Sequence, residues 1–99
     1  MALKVRWTPE AEETFSAVIE YLEDKWTENE VHSFVQKFQK VKRQIEKNPY
    51  QFKSSRFNEI KIAFITKHNS LLYSVNEQDG IIELYSFWDN RKDPQERPY

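Results

Sequence analysis

Apolar and polar residues alternate along this chain in two rhythms, and the switches between them mark out the elements. Leu3, Val5 and Trp7 alternate with Lys4 and Arg6, the period of two that sets three apolar side chains on one face of a short strand. Thr8-Pro9 ends it. Thr8 suits a helix N-cap and Pro9 the first helical position, where its missing N–H is no loss. From there Ala11, Phe15, Val18, Ile19, Leu22 and Trp26 recur at helical spacing and form one stripe. Thr27 and Glu30 make a capping-box pattern flanked by Trp26 and Val31 in hydrophobic-staple positions, so a second helix starts at residue 28 with almost no loop before it. Its stripe is Val31, Phe34, Val35, Phe38, Val41 and Ile45, and Asn48-Pro49 stops it, because a residue before proline is pushed out of the helical region.

Residues 50–55 read as a loop, with Tyr50 and Phe52 tucked against the core. Three β-type runs follow: Asn58 to Thr66, Ser70 to Asn76 and Ile81 to Trp88. The joints Lys67-His68-Asn69 and Glu77-Gln78-Asp79-Gly80 are hairpin-sized, so the runs are expected to be consecutive and antiparallel. The fold class is therefore α+β with the order β-α-α-β-β-β: an N-terminal helical hairpin packed on one face of a mainly antiparallel four-stranded sheet, in a single domain over residues 1–99. The other face is expected to be a groove edged by lysines, with Lys61 and Lys67 pointing away from the core.

Composition adds limits. Hydrophobic content of 38%, with three Trp, five Tyr and seven Phe, identifies a folded chain whose burial rests on aromatic area. With no cysteine there is no disulfide and no thiolate chemistry, and the two histidines, His32 and His68, have no metal-ligand spacing, so no metal and no cofactor is expected. The single glycine, Gly80, rules out a Gly-rich phosphate loop. No apolar run reaches the roughly 18–20 residues of a membrane span, and the expected location is the cytoplasm.

Charge is unevenly distributed behind a formal net charge of −1. Residues 8–30 hold eight acids and one base, giving −7, whereas residues 37–67 hold nine bases and two acids, giving +7. Such a dipole fits either an acidic partner docking on the basic side or a helix pair whose opposite charges attract each other. The carboxylates of residues 10–24, Glu23 apart, lie off the apolar stripe and read as a solvated face. The last strand ends in Trp88-Asp89-Asn90-Arg91, which delivers an Asn-Arg pair to the surface at a turn closed by Pro94.

Three strings carry a resemblance. Trp7-Thr8-Pro9-Glu10-Ala11 entering the first helix, Lys67-His68-Asn69-Ser70-Leu71-Leu72-Tyr73 across a hairpin, and Phe87-Trp88-Asp89-Asn90-Arg91-Lys92-Asp93-Pro94 at the end make the chain similar to the RelE/ParE toxin superfamily of type II toxin–antitoxin modules. The resemblance implies a small bacterial growth-inhibiting toxin, involved in plasmid stabilisation, and a cognate antitoxin that wraps it; a homodimer is also open. ParE-like members are associated with inhibition of DNA gyrase, and RelE-like members cut mRNA on the ribosome. Lys61 stands where many relatives carry Arg, and the strand end lacks a basic residue followed by Tyr or His, so the ParE-like action is favoured over the endoribonuclease. A degenerate, non-toxic member is the remaining alternative. If the chain were a ribonuclease, Lys61, His68 and Arg91 would be its candidate catalytic residues, with Tyr73 or Tyr85 as a source of the acid. For contact with a partner or target the candidates are Lys61, Lys67, Trp88, Asn90 and Arg91. Each also has a plain structural role open to it: solvated strand positions for the lysines, a turn-capping imidazole for His68, and an ion pair between Asp89 and Arg91.

Overall fold

The computed structural model describes residues 3–55, 59–97 and 99. Strand β1 (Lys4–Trp7) leads through the Thr8 cap into α1 (Pro9–Lys25); the Thr8 hydroxyl accepts from the Ala11 amide at 3.1 Å and donates to the Leu84 carbonyl at 2.9 Å, tying the helix start to the sheet. Helix α2 (Glu28–Lys47) begins at the capping box, in which the Thr27 amide donates to the Glu30 carboxylate at 3.0 Å. Four strands follow: β2 (Lys53–Ser54), β3 (Lys61–Phe64), β4 (Asn69–Asn76) and β5 (Ile81–Asp89), then a 3-10 turn over Pro94–Glu96.

The sheet runs β1-β5-β4-β3-β2, antiparallel except for the β1–β5 pair. It has five strands where the sequence pattern predicts four. The addition is β2, whose two residues pair with Ile62 and Lys61 inside the stretch read as a loop; two residues carry no period to detect. The β3 run is also shorter than its pattern, and its expected start at Asn58, like Arg56 in the basic tally, lies outside the described residues.

Both helices cover one sheet face. The core joins Ala11, Phe34, Phe38, Val41 and Ile45 to Ala63, Leu71, Tyr73, Ile82, Leu84 and Phe87, with Trp7 and Phe15 packed on it. Trp7, Phe15, Phe38 and Phe87 form a ring cluster with centroids 5.1–5.6 Å apart. Tyr73 is wholly buried, donates to the Pro49 carbonyl at 2.6 Å, and is held neutral far into alkali by its burial. Phe52 packs edge-on against it at 6.3 Å, whereas Tyr50 is 51% exposed instead of tucked in. Trp26 also departs from its predicted place on the α1 stripe. It sits at the extended C-cap and is 58% exposed, because the capping box redirects the chain one residue too early for its ring to turn inward.

A β-bulge sets the shape of the sheet. Leu72 pairs with Ser86 and Tyr73 with Leu84, so Tyr85 is an extra residue on β5. The bulge keeps Phe87, Leu84 and Ile82 all on the helix side although their spacing is not uniformly two. Its backbone is held by hydroxyls of the α1 cap and of α1 itself: Thr8 donates to the Leu84 carbonyl and Thr14 accepts from the Phe87 amide at 2.9 Å.

Candidate functional site

The end of β5 and the β3–β4 turn are built as one corner. The Asn90 amide donates to the His68 carbonyl at 2.8 Å, its side-chain oxygen accepts from the Ser70 hydroxyl at 2.7 Å, and its side-chain nitrogen donates to the Lys67 carbonyl at 3.3 Å. Within the turn, Thr66 accepts from the His68 and Asn69 amides, both at 3.1 Å. Asn90 is thus a clamp between two chain segments. Ser70 is fully buried, so Asn90→Ala strands its hydroxyl and is expected to lower folding stability by about 1–3 kcal/mol. Urea unfolding of the variant measures this, and a loss below about 0.5 kcal/mol would contradict the clamp.

Arg91 follows on the outside of the corner. Its guanidinium forms a two-bond ion pair with Asp89 at 2.9 and 2.8 Å, the Arg91 amide also donates to Asp89 at 2.9 Å, and the guanidinium carbon lies 5.5 Å from the Tyr21 ring centre on α1. The pair holds the Asp89 carboxyl below the usual carboxylate range, chiefly through the side-chain bonds from Arg91, and the same bonds hold Arg91 above its ordinary value. Asp89 therefore stays charged at neutral pH and is no general acid. Lys92 lies 5.7 Å from the ring centre of Trp88, which is half-buried.

These side chains line a groove of about 730 Å³ at the end of the sheet. One wall is α1, with Thr14, Ala17, Val18 and Tyr21; the start of α2 closes it with Glu30, Phe34 and Lys37; and the opposite rim is Lys67, His68, Asp89, Arg91 and Lys92. The expected lysine-edged groove thus lies beside the strand ends and not across the open sheet face. That face carries a smaller hollow of about 530 Å³ near Tyr50, Ser74, Glu83 and Tyr85, and there Tyr99 stacks on Tyr85 at 5.0 Å while donating to Glu10.

Of the residues singled out from sequence, Lys67, His68, Trp88 and Arg91 meet at this groove and Asn90 braces it from behind. Lys61 does not. It starts β3, far from the turn, with its amine 3.4 Å from the Ser54 hydroxyl and 5.8 Å from the Tyr50 ring centre. It also shares the parity of Ala63 and Ile65, which face the helices, while Phe64 is 63% exposed, so the strand faces the other way round from the expected one. The reason is visible in the string itself: Ile60, Ile62 and Phe64 alternate with Ala63 and Ile65, and apolar residues on both parities leave the face undecided. Tyr73 is buried at the core and Tyr85 bonds Ser74 on the open face, so neither reaches His68's rim. The groove residue that sequence reasoning passed over is Tyr21; its signal is an aromatic standing off the α1 stripe among carboxylates.

Among the described residues no set of three or more His, Asp or Glu is placed to hold a metal ion, and no helix is long and apolar enough to cross a membrane.

A strand running into a capped helical hairpin, and then returning as a meander whose last strand lies parallel to the first, defines the fold of the RelE/ParE toxin superfamily. Residues 5–94 match the model of the ParE toxin of the type II toxin–antitoxin system parDE, and the chain belongs to that family. Among solved structures, the YoeB dimer from Staphylococcus aureus is similar over 87% of this chain and 94% of its own, with a TM-score of 0.60 and 18% identity. The heterotetrameric YoeB–YefM toxin–antitoxin complex from the same organism is similar over the same shares, with a TM-score of 0.57 and 16% identity. At such identities the likeness establishes the fold. No curated protein sequence matches the chain.

Proposed function

We propose that the chain is a growth-arresting toxin that acts in the cytoplasm by binding a protein target, DNA gyrase in the ParE manner, through the groove beside the β5 end, and that a cognate antitoxin neutralises it. The observation that supports this reading is the state of the strand-end cation. Arg91 is clamped by Asp89 and backed by Tyr21, while Lys61 sits at the far end of β3. Metal-independent RNA cleavage needs a base, an acid and cations gathered around one phosphate. A protein-binding surface instead calls for aromatic and arginine anchors in a recess, which Tyr21, Trp88 and Arg91 supply. Family membership supports an antitoxin partner, as does the YoeB–YefM complex among the solved relatives in fold; the YoeB dimer makes self-association a further possibility for this chain.

Ribosome-dependent mRNA cleavage of the RelE type is the second reading, favoured by His68 standing with Lys67 and Arg91 on one rim. Induced expression without antitoxin separates the two. Under the gyrase reading the Lys61→Ala/His68→Ala double variant still arrests growth, purified toxin inhibits supercoiling, and primer extension finds no new mRNA ends. Restored growth in the double variant, together with cleaved mRNA from the parent, would overturn it. A parent chain that fails to arrest growth at all would instead mark a degenerate member.

A further inference from the structure

The chain divides its charge into an acidic and a basic block, and the fold does not spend the two on each other. Among the described residues the ion pairs are Arg6–Glu83, Lys25–Asp24 and Arg91–Asp89, so no carboxylate of α1 pairs with a base of α2. Lys40, Arg43 and Lys47 are exposed, and their side chains make no hydrogen bond or ion pair with any described residue. Helical spacing puts them, with His32 and Gln36, on the side of α2 turned away from its buried residues Phe34, Phe38, Val41 and Ile45. That outer face has two poles. At the hairpin end Glu20, Glu23, Asp24 and Glu28 are exposed beside one base, Lys25, giving −3; at the far end Lys40, Arg43 and Lys47 give +3, while Lys42 and Glu46 lie half-buried on one flank and cancel. Between the poles, the outer line of the helix carries the exposed His32, Gln36 and Gln39. Glu28 and Arg43 are about 22 Å apart along the axis, and Gln36 stands midway. A face of this kind is complementary to itself when turned through half a rotation.

We propose that a second copy of this chain docks here, the two α2 helices crossing antiparallel about a two-fold axis at Gln36, so that the acidic pole of each copy meets the basic pole of the other. The proposal rests on the self-association raised above and names its surface; it does not depend on which target the toxin acts on. A two-fold contact matches both pairs of poles at once and closes, whereas a head-to-tail contact leaves one pole bare at each end and goes on adding copies. Trp26 adds apolar area to each acidic pole. It is 58% exposed in the turn between the acids of α1 and Glu28, within reach of an arginine stem and cation brought in by the other copy. Neither Gln36 nor the basic pole lines the groove beside the β5 end, so such a dimer leaves the Arg91 rim accessible.

The test is sedimentation equilibrium of the full chain by itself. The dimer should form at low salt and weaken about tenfold or more as salt rises from about 0.05 to 0.5 M. Glu20→Lys/Asp24→Lys makes both poles positive and Lys40→Glu/Arg43→Glu makes both negative, so each variant alone should be monomeric and an equal mixture should form a one-to-one heterodimer. Thermal unfolding checks that both are folded. Trp26→Ala, which changes no charge and removes an exposed ring, should weaken the parent dimer about tenfold. A dimer that survives both charge reversals, or folded reversal variants that stay apart when mixed, would overturn this surface while leaving self-association standing. A chain that remains monomeric at low salt would overturn both.

Discussion

Replacing Phe38 by alanine is expected to lower folding stability by about 3–5 kcal/mol, enough to leave a marginal protein of this size partly unfolded at growth temperature. The side chain is 2% exposed and meets Trp7, Phe15 and Phe87 at centroid distances of 5.5, 5.4 and 5.3 Å, so truncation opens a void bordered by three rings that cannot all close in. The loss is felt across elements, because those rings belong to β1, α1 and β5. Urea unfolding would show a midpoint shift at nearly unchanged slope, and thermal unfolding a fall of about 4–8 °C for each kcal/mol. The matched control is Phe64→Ala: that ring is 63% exposed on β3, and its removal should change stability by about 0.5 kcal/mol or less. A Phe38→Ala loss below about 1 kcal/mol would mean that the aromatic cluster does not organise the core.

That cluster was readable in the sequence one element at a time. The Phe34, Val35, Phe38, Val41, Ile45 spacing identifies α2 and its buried face, and Thr8-Pro9 and Thr27–Glu30 place both helix starts, because capping chemistry is local. The Asp79-Gly80 turn is equally local: Gly80 has φ 66°, which only glycine adopts without strain. The parts that were not legible depend on partners distant in the chain. β1 pairs with β5 across more than seventy residues, and nothing in Lys4–Trp7 says that it does so in parallel or that it stops at Leu84. The face of β3 was undecidable with apolar residues on both parities, which is how Lys61 came to be expected beside Lys67. The Asn90-Arg91 corner was located from its string, and the Asp89–Arg91 pair was among the roles left open there. The groove wall was not, since Tyr21 becomes a site residue only when α1 lies across the end of β5.

The second large effect falls on that wall. Tyr21→Ala and Arg91→Ala are each expected to weaken binding of the target by about 30-fold or more, the loss typical of central aromatic and arginine anchors. Tyr21 is 43% exposed in the toxin alone, and its ring flanks the guanidinium, so one substitution removes a contact surface and also frees the arginine to swing. Folding should hardly change, because an exposed aromatic and a half-exposed ion pair contribute little to the folded state. Asp89→Asn separates charge from geometry. It keeps the arginine and removes the carboxylate that pins it, so a target presenting its own carboxylate to Arg91 should bind at least as well as before. If instead the cation matters only as a support for Asp89, Asp89→Asn and Arg91→Ala should lose binding alike. Affinity for gyrase measured beside urea unfolding for all three variants decides the matter: equal losses in the two arginine-pair variants would remove Arg91 from the contact surface, whereas a loss confined to Tyr21→Ala and Arg91→Ala would place the target against the groove wall that Tyr21 and Arg91 share.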